Sequence, residues 1–108
     1  MTVLSDQTFR LEGDAALEHA RRALMDLADQ KGFELELQNG VLQLEFEEPS
    51  PTKFVVSPNA PTRQIWVAAM TRSYKLAWSS EVNTFALNGE TLVQLLERLV
   101  HTFLDTAA

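Results

Sequence analysis

Six carboxylates carry the chemistry that this sequence is best equipped to do. Asp14, Glu18, Asp26 and Asp29 recur three, four or eight residues apart, which sets them along one flank of a helix. Glu34 and Glu36 follow with the two-residue spacing that puts both on the outward side of a strand. If the helix flank and that strand adjoin, the six side chains converge on one edge of the molecule. Hard oxygen donors of this kind suit iron in either oxidation state, manganese, calcium or magnesium, and surface carboxylates that nothing holds in place bind such ions weakly and with little selectivity. The same charges also serve plain solubility. Arg22 interrupts the row, four residues after Glu18 and four before Asp26, and can pair with either. Each such pair contributes only about 0.2–0.5 kcal/mol, so its larger effect is to lower the negative potential that would hold a cation.

A second group of residues suits recognition of a partner. Alternation through Gln64-Ile65-Trp66-Val67 sends Ile65 and Val67 one way and Gln64 and Trp66 the other. Trp66 on an open sheet face is the composition of a binding anchor, because indole brings a large contact area at small entropic cost. A register slip of one residue would instead make Trp66 core. Lys75 alternates with Tyr74 and Leu76 and falls on the same face as Trp66, and Asn59 with Gln64 supplies a polar rim.

Other chemistries lack their parts. The chain has no cysteine, so thiolate ligands, cysteine nucleophiles and disulfides are excluded. His19 and His101 stand alone on separate helices as surface residues, and no Ser-His-Asp order, glycine-rich phosphate loop or Glu-x-x-His di-iron spacing occurs. No enzyme activity is expected, and a ferroxidase is the one catalytic alternative considered. The formal charge is −6, and residues 12–48 alone hold ten acids against Arg21, Arg22 and Lys31. Such one-sided charge repels nucleic acid and anionic membrane and attracts cations or a basic protein surface. The start, Met1 to Asp6, lacks the basic and apolar pattern of a signal peptide, and no run is apolar enough to span a bilayer. A cytoplasmic, monomeric protein is therefore expected.

The elements that must position these residues follow from periodicity. At 108 residues, with 45% hydrophobic residues, one domain spanning 1–108 is expected. Ala16, Ala20, Leu24 and Leu27 recur at helical spacing and predict a helix from about Leu11 to Gln30, closed by Gly32. Strict alternation then predicts a strand at Phe33–Gln38, an Asn39-Gly40 hairpin turn and a second strand through Leu42, Leu44 and Phe46. Four more strands are expected at Lys53–Ser57, Gln64–Ala69, Ser73–Trp78 and Asn83–Leu87, with Pro58 and Pro61 in a connection. A helix from Glu90 to about Leu104, opened by Asn88-Gly89, completes the chain. Helix, run of strands, helix implies an α+β, two-layer sandwich: both helices on one face of a roughly six-stranded antiparallel sheet, the other face open to water.

The stretches Asn59-Ala60-Pro61-Thr62-Arg63-Gln64-Ile65-Trp66-Val67-Ala68 and Asn88-Gly89-Glu90-Thr91, the latter followed by Leu95-Leu96-Glu97, resemble the frataxin family, as does Gly40-Val41-Leu42. The likeness extends over the whole chain in element order and length. It implies a two-helix, one-sheet sandwich that binds iron weakly along an acidic ridge, with Asp14, Glu18, Asp26, Asp29, Glu34 and Glu36 at the matching positions. It also implies docking on the cysteine desulfurase and the iron–sulfur scaffold protein through that ridge and through Asn59, Gln64, Trp66 and Lys75. The chain departs from the family's usual residues at Ser57, Ala77 and Asn83, and Arg21 and Arg22 thin the ridge. A docking adaptor without useful iron binding is the alternative those arginines favour.

Overall fold

The computed structural model describes residues 4–105; Met1, Thr2 and Val3, part of the stretch considered for a leader, lie outside them. The first helix, α1 (Asp6–Lys31), begins five residues earlier than its apolar spacing suggests. The reason is Gly13, which occupies a buried position of the stripe Phe9, Gly13, Leu17, Ala20, Leu24 and Ala28 without an apolar side chain to mark it. Ser5 caps it, its Oγ accepting the Thr8 amide at 3.2 Å, and Asp6 stands in the first turn where a negative charge suits the helix dipole. Gly32 ends it as expected, with φ 78° and its N–H donated to the Ala28 carbonyl.

Seven antiparallel strands follow in one sheet, each beside its sequence neighbour: β1 (Glu34–Gln38), β2 (Val41–Phe46), β3 (Thr52–Asn59), β4 (Gln64–Ala69), β5 (Arg72–Ser79), β6 (Thr84–Leu87) and β7 (Glu90–Thr91). The β1–β2 turn is the anticipated Asn39-Gly40, both residues at positive φ. Asn88-Gly89 repeats it. Instead of opening the helix, that pair turns the chain so that Glu90 pairs with Leu87, and the short β7 it creates is the strand that brings the number from six to seven. The second helix, α2 (Leu92–Asp105), therefore starts two residues later than expected.

Pro58 is the other correction. It lies within β3, opposite Ile65, rather than in the connection. It is tolerated because the β2 register stops at the Leu42–Val56 pair, so β3 at Pro58 has a strand on one side only.

Both helices pack on one face. The buried side of the sheet presents Leu42, Leu44, Phe46, Phe54, Val56, Ile65, Val67, Leu76 and Phe85, and α2 answers with Leu92, Leu95, Leu96, Leu99, Val100 and Phe103. All six phenylalanines are buried. Phe46 is the hub of one aromatic group, its ring centroid 4.8 Å from Phe33 and 4.9 Å from both Phe54 and Phe103, and each such pair adds about 0.5–1.5 kcal/mol beyond area burial. No buried side-chain nitrogen or oxygen among the described residues lacks a hydrogen-bond partner.

A methyl group at Gly13 would meet the Ile65 and Pro58 side chains at 3.8 Å, an ordinary contact. Gly13→Ala should thus raise stability by about 0.5–1 kcal/mol through helix propensity, whereas Gly32→Ala should lower it by about 1 kcal/mol because its φ is left-handed. Urea unfolding of the two variants checks both signs, and a destabilised Gly13→Ala would show that α1 sits closer to the sheet than this packing allows.

Candidate functional site

Two surfaces carry the residues singled out by sequence. The first is the open face of the sheet. Ile65 and Val67 are buried beneath the helices, which fixes the register of β4 and turns Gln64, Trp66 and Ala68 outward. Register then aligns Ser57, Trp66 and Lys75 across β3, β4 and β5. The Trp66 indole Nε1–H donates to the Gln64 Oε1 at 3.0 Å, and the Lys75 Nζ lies 4.9 Å from the ring centroid. The first contact holds the ring in place; the second is a cation–π pair worth about 0.5–1 kcal/mol at an exposed site. Around the ring the face is made of small residues, with Ser57, Ala68 and Ser73 lining a shallow recess of about 310 Å³ beside it together with Val55. Trp66 is the one aromatic side chain among the residues lining it.

Asn59 is half-buried at the end of β3, opposite Gln64. Its Oδ1 accepts both the amide (3.2 Å) and the hydroxyl (2.7 Å) of Thr62, so its carbonyl end shapes the β3–β4 loop and its amide nitrogen is the end available to a partner. Sequence reasoning missed the residue that anchors this loop. Arg63, at φ 55°, donates its Nε to the Leu4 carbonyl (2.7 Å) and its Nη1 to the Ala60 carbonyl (2.8 Å), and pairs with Asp6 at 2.6 Å. No local signal in the sequence marks it, because two of these partners are nearly sixty residues away.

The second surface is the acidic edge where α1 runs along β1. The helix flank and the strand do adjoin. Asp29 and Glu34 line one depression of about 340 Å³ with Arg21, Met25 and Phe33, whereas Asp14 lines another with Leu37 and Asn39. Asp14, Asp26, Asp29, Glu34 and Glu36 are exposed and make no ion pair or hydrogen bond among the described residues. Among those residues no three His, Cys, Asp or Glu side chains come together as a group able to hold a metal ion. The edge is a row of separate carboxylates.

Glu18 differs from the rest. Arg21 grips it side-on, Nε to Oε2 at 2.9 Å and Nη2 to Oε1 at 2.7 Å, and Arg22 adds a third hydrogen bond at 3.0 Å. These bonds, those of Arg21 first, hold its carboxyl at about 2, well below its ordinary 4.5, against the opposing effect of desolvation. Both arginines thus turn toward Glu18, and Asp26, the other candidate partner of Arg22, is left without one. The three-residue spacing of Glu18 and Arg21 was the readable sign of this bidentate pair. A similar fork, Arg98 on Glu90 at 2.8 and 2.9 Å, ties α2 back to β7.

An α+β sandwich with one bare sheet face, a tryptophan presented on it and an acidic helix–strand edge defines a frataxin-type protein. The frataxin-like domain model of protein families matches residues 2–106, and the chain belongs to that family. The iron-sulfur cluster assembly protein CyaY of Pseudomonas putida (strain W619) is 30% identical over 88 residues, 78% of each chain. The protein of that name from Janthinobacterium sp. (strain Marseille) is 28% identical over 101 residues, 90% of this chain and 88% of its own. The fold is that of frataxin from Psychromonas ingrahamii, with a TM-score of 0.67 at 16% identity over 93% of this chain and 91% of the other.

Carbon-detected NMR of the side-chain carboxyls tests the charge balance of the edge. Glu18 should titrate near 2 in the folded chain, and Arg21→Gln should move it back toward 4.5. Because the folded value lies below the unfolded one, the contribution of this network to stability is fully present above about pH 4.5 and is lost as the pH falls toward 2. A Glu18 midpoint that Arg21→Gln leaves unchanged would refute the pairing.

Proposed function

We propose that this chain serves iron–sulfur cluster assembly as a docking protein, binding the cysteine desulfurase and scaffold complex through its bare sheet face and acidic edge. The observation that carries the proposal is Trp66, held by Gln64 and Lys75 on a floor of small side chains. A fixed aromatic ring on a low surface can enter a partner's recess while the small residues around it let the two backbones approach. The acidic edge, at the β1 border of the sheet, complements a basic partner and steers the encounter. CyaY proteins, named for iron-sulfur cluster assembly, are similar to the chain over most of its length. Its action is binding and release rather than catalysis, and it takes place in the cytoplasm; no helix among the described residues is long and apolar enough to cross a membrane.

Iron is the proposed cargo. Five carboxylates, Asp14, Asp26, Asp29, Glu34 and Glu36, remain exposed and without a partner among the described residues, which favours weak, exchangeable binding over a fixed site. Glu18, neutralised by two arginines, contributes least. The same edge would thus carry iron and meet the partner, so delivery or rate control of the desulfurase follows from one surface.

Trp66→Ala should weaken the complex with desulfurase and scaffold by about thirtyfold or more, the scale of an interface hot spot, with the circular dichroism spectrum unchanged. Unchanged affinity in calorimetry would sink the docking face. In an anaerobic NMR titration with Fe²⁺, the amides of Asp29, Glu34 and Glu36 should broaden before that of Glu18 while Trp66 stays still. If no localised set responds at millimolar metal, the chain is an adaptor alone.

A further inference from the structure

One exposed thioether sits at the acidic edge in a setting that its exposure alone does not explain. Met25 is 48% accessible, one of three large apolar side chains left outside on the described surface, and it lines the depression shared with Asp29 and Glu34. Its Sδ lies 3.7 Å from the Arg21 Nη1, a nitrogen that the bidentate grip of Glu18 on Nε and Nη2 leaves free. The guanidinium is therefore held in place by one partner and aimed at the sulfur by the same geometry. Met70, by contrast, is half-buried and packs against the core.

We propose that Met25 is an oxidation site for small hydroperoxides, with Arg21 as the residue that promotes the reaction. The sulfur lone pair attacks the terminal, proton-bearing peroxide oxygen; an S–O bond forms as the O–O bond breaks, sulfur loses two electrons and the peroxide bond gains them. The departing hydroxide, or alkoxide from an alkyl hydroperoxide, then takes the proton carried by the transferred oxygen and leaves as water or the alcohol. Negative charge grows chiefly on the departing oxygen as this proceeds, and a guanidinium N–H beside the sulfur stabilises it. The product oxygen is a far stronger acceptor than the thioether it replaces, so it takes the Nη1–H as a full hydrogen bond. Oxidation thereby converts the thioether of the depression into a polar acceptor beside two carboxylates, altering the edge without disturbing the core.

The test uses metal-free chain and limiting hydrogen peroxide, so its failure leaves the proposed iron-handling role untouched. Peptide mass spectrometry should find an added oxygen on Met25 about fivefold faster than on Met70, and Arg21→Gln should slow Met25 by a similar factor, the scale of one charge-assisted hydrogen bond. The Arg21 side-chain N–H resonances of the unmodified chain should also move on oxidation, which reports the new hydrogen bond independently of any effect of the substitution on folding. Oxidation of Met70 ahead of Met25, an Arg21→Gln rate equal to that of the parent chain, or unmoved Arg21 resonances would overturn the proposal.

Discussion

The rest of this structure depends on burial of the sheet from one side only. Two helices can cover one face of seven strands, and the alternation of each strand then decides which side chains meet them. Ile65 and Val67 are held under the helices, and for that reason Trp66 cannot be. A shift of one residue in β4 would place both aliphatic chains in water and the indole in the core, exchanging the bare face for a hydrophobic one. The hydrophobic effect thus sets the position of an outward surface that it does not itself occupy.

The same constraint explains the division of labour between the two surfaces. On the bare face the residues around Trp66 are small, so the sheet is flat and its one large ring stands out. At the edge, β1 has a strand on one side only, and Glu34 and Glu36 put charge along the exposed border. Charged edge residues keep a strand from pairing with another copy of itself, and this protective role requires no ligand. The carboxylates proposed to meet iron and partner also serve this protective role.

Arginine decides how much of the acidic edge is available. A guanidinium presents two parallel donors, and Arg21 commits both to Glu18, so that carboxylate is the least available of the helix flank. Coulomb attraction at the surface is weak, but this arrangement acts through geometry: both oxygens already accept hydrogen bonds. The remaining acids stand apart from one another along about four turns of helix and a short strand, and among the described residues no three of them come together as a group able to hold a metal ion.

The sequence by itself determined the layer architecture, the hairpin at Asn39-Gly40, the end of α1 at Gly32 and the outward placement of Gln64, Trp66 and Lys75. Each follows from local periodicity or from the φ that a turn demands, and local rules need no knowledge of what lies across the fold. Residues 33–38 were legible as a strand because apolar and polar positions alternate there without interruption, and 64–69 and 73–78 because short runs holding β-branched and aromatic residues are bounded by breaks. Where a contact with another element overrides the local pattern, the sequence was silent or misleading. Gly13 hides the start of α1 because it fills a buried stripe position without an apolar side chain, Pro58 fits a strand because β2 has already ended, and Asn88-Gly89 makes a hairpin because Leu87 and Glu90 find each other. Tertiary structure alone decided that Arg63 would clamp the helix start to the β3–β4 loop. That choice depends on distances between side chains far apart in the chain, whereas the pairing of Glu18 with Arg21 and Arg22 lies within one helix turn, where spacing already allows it.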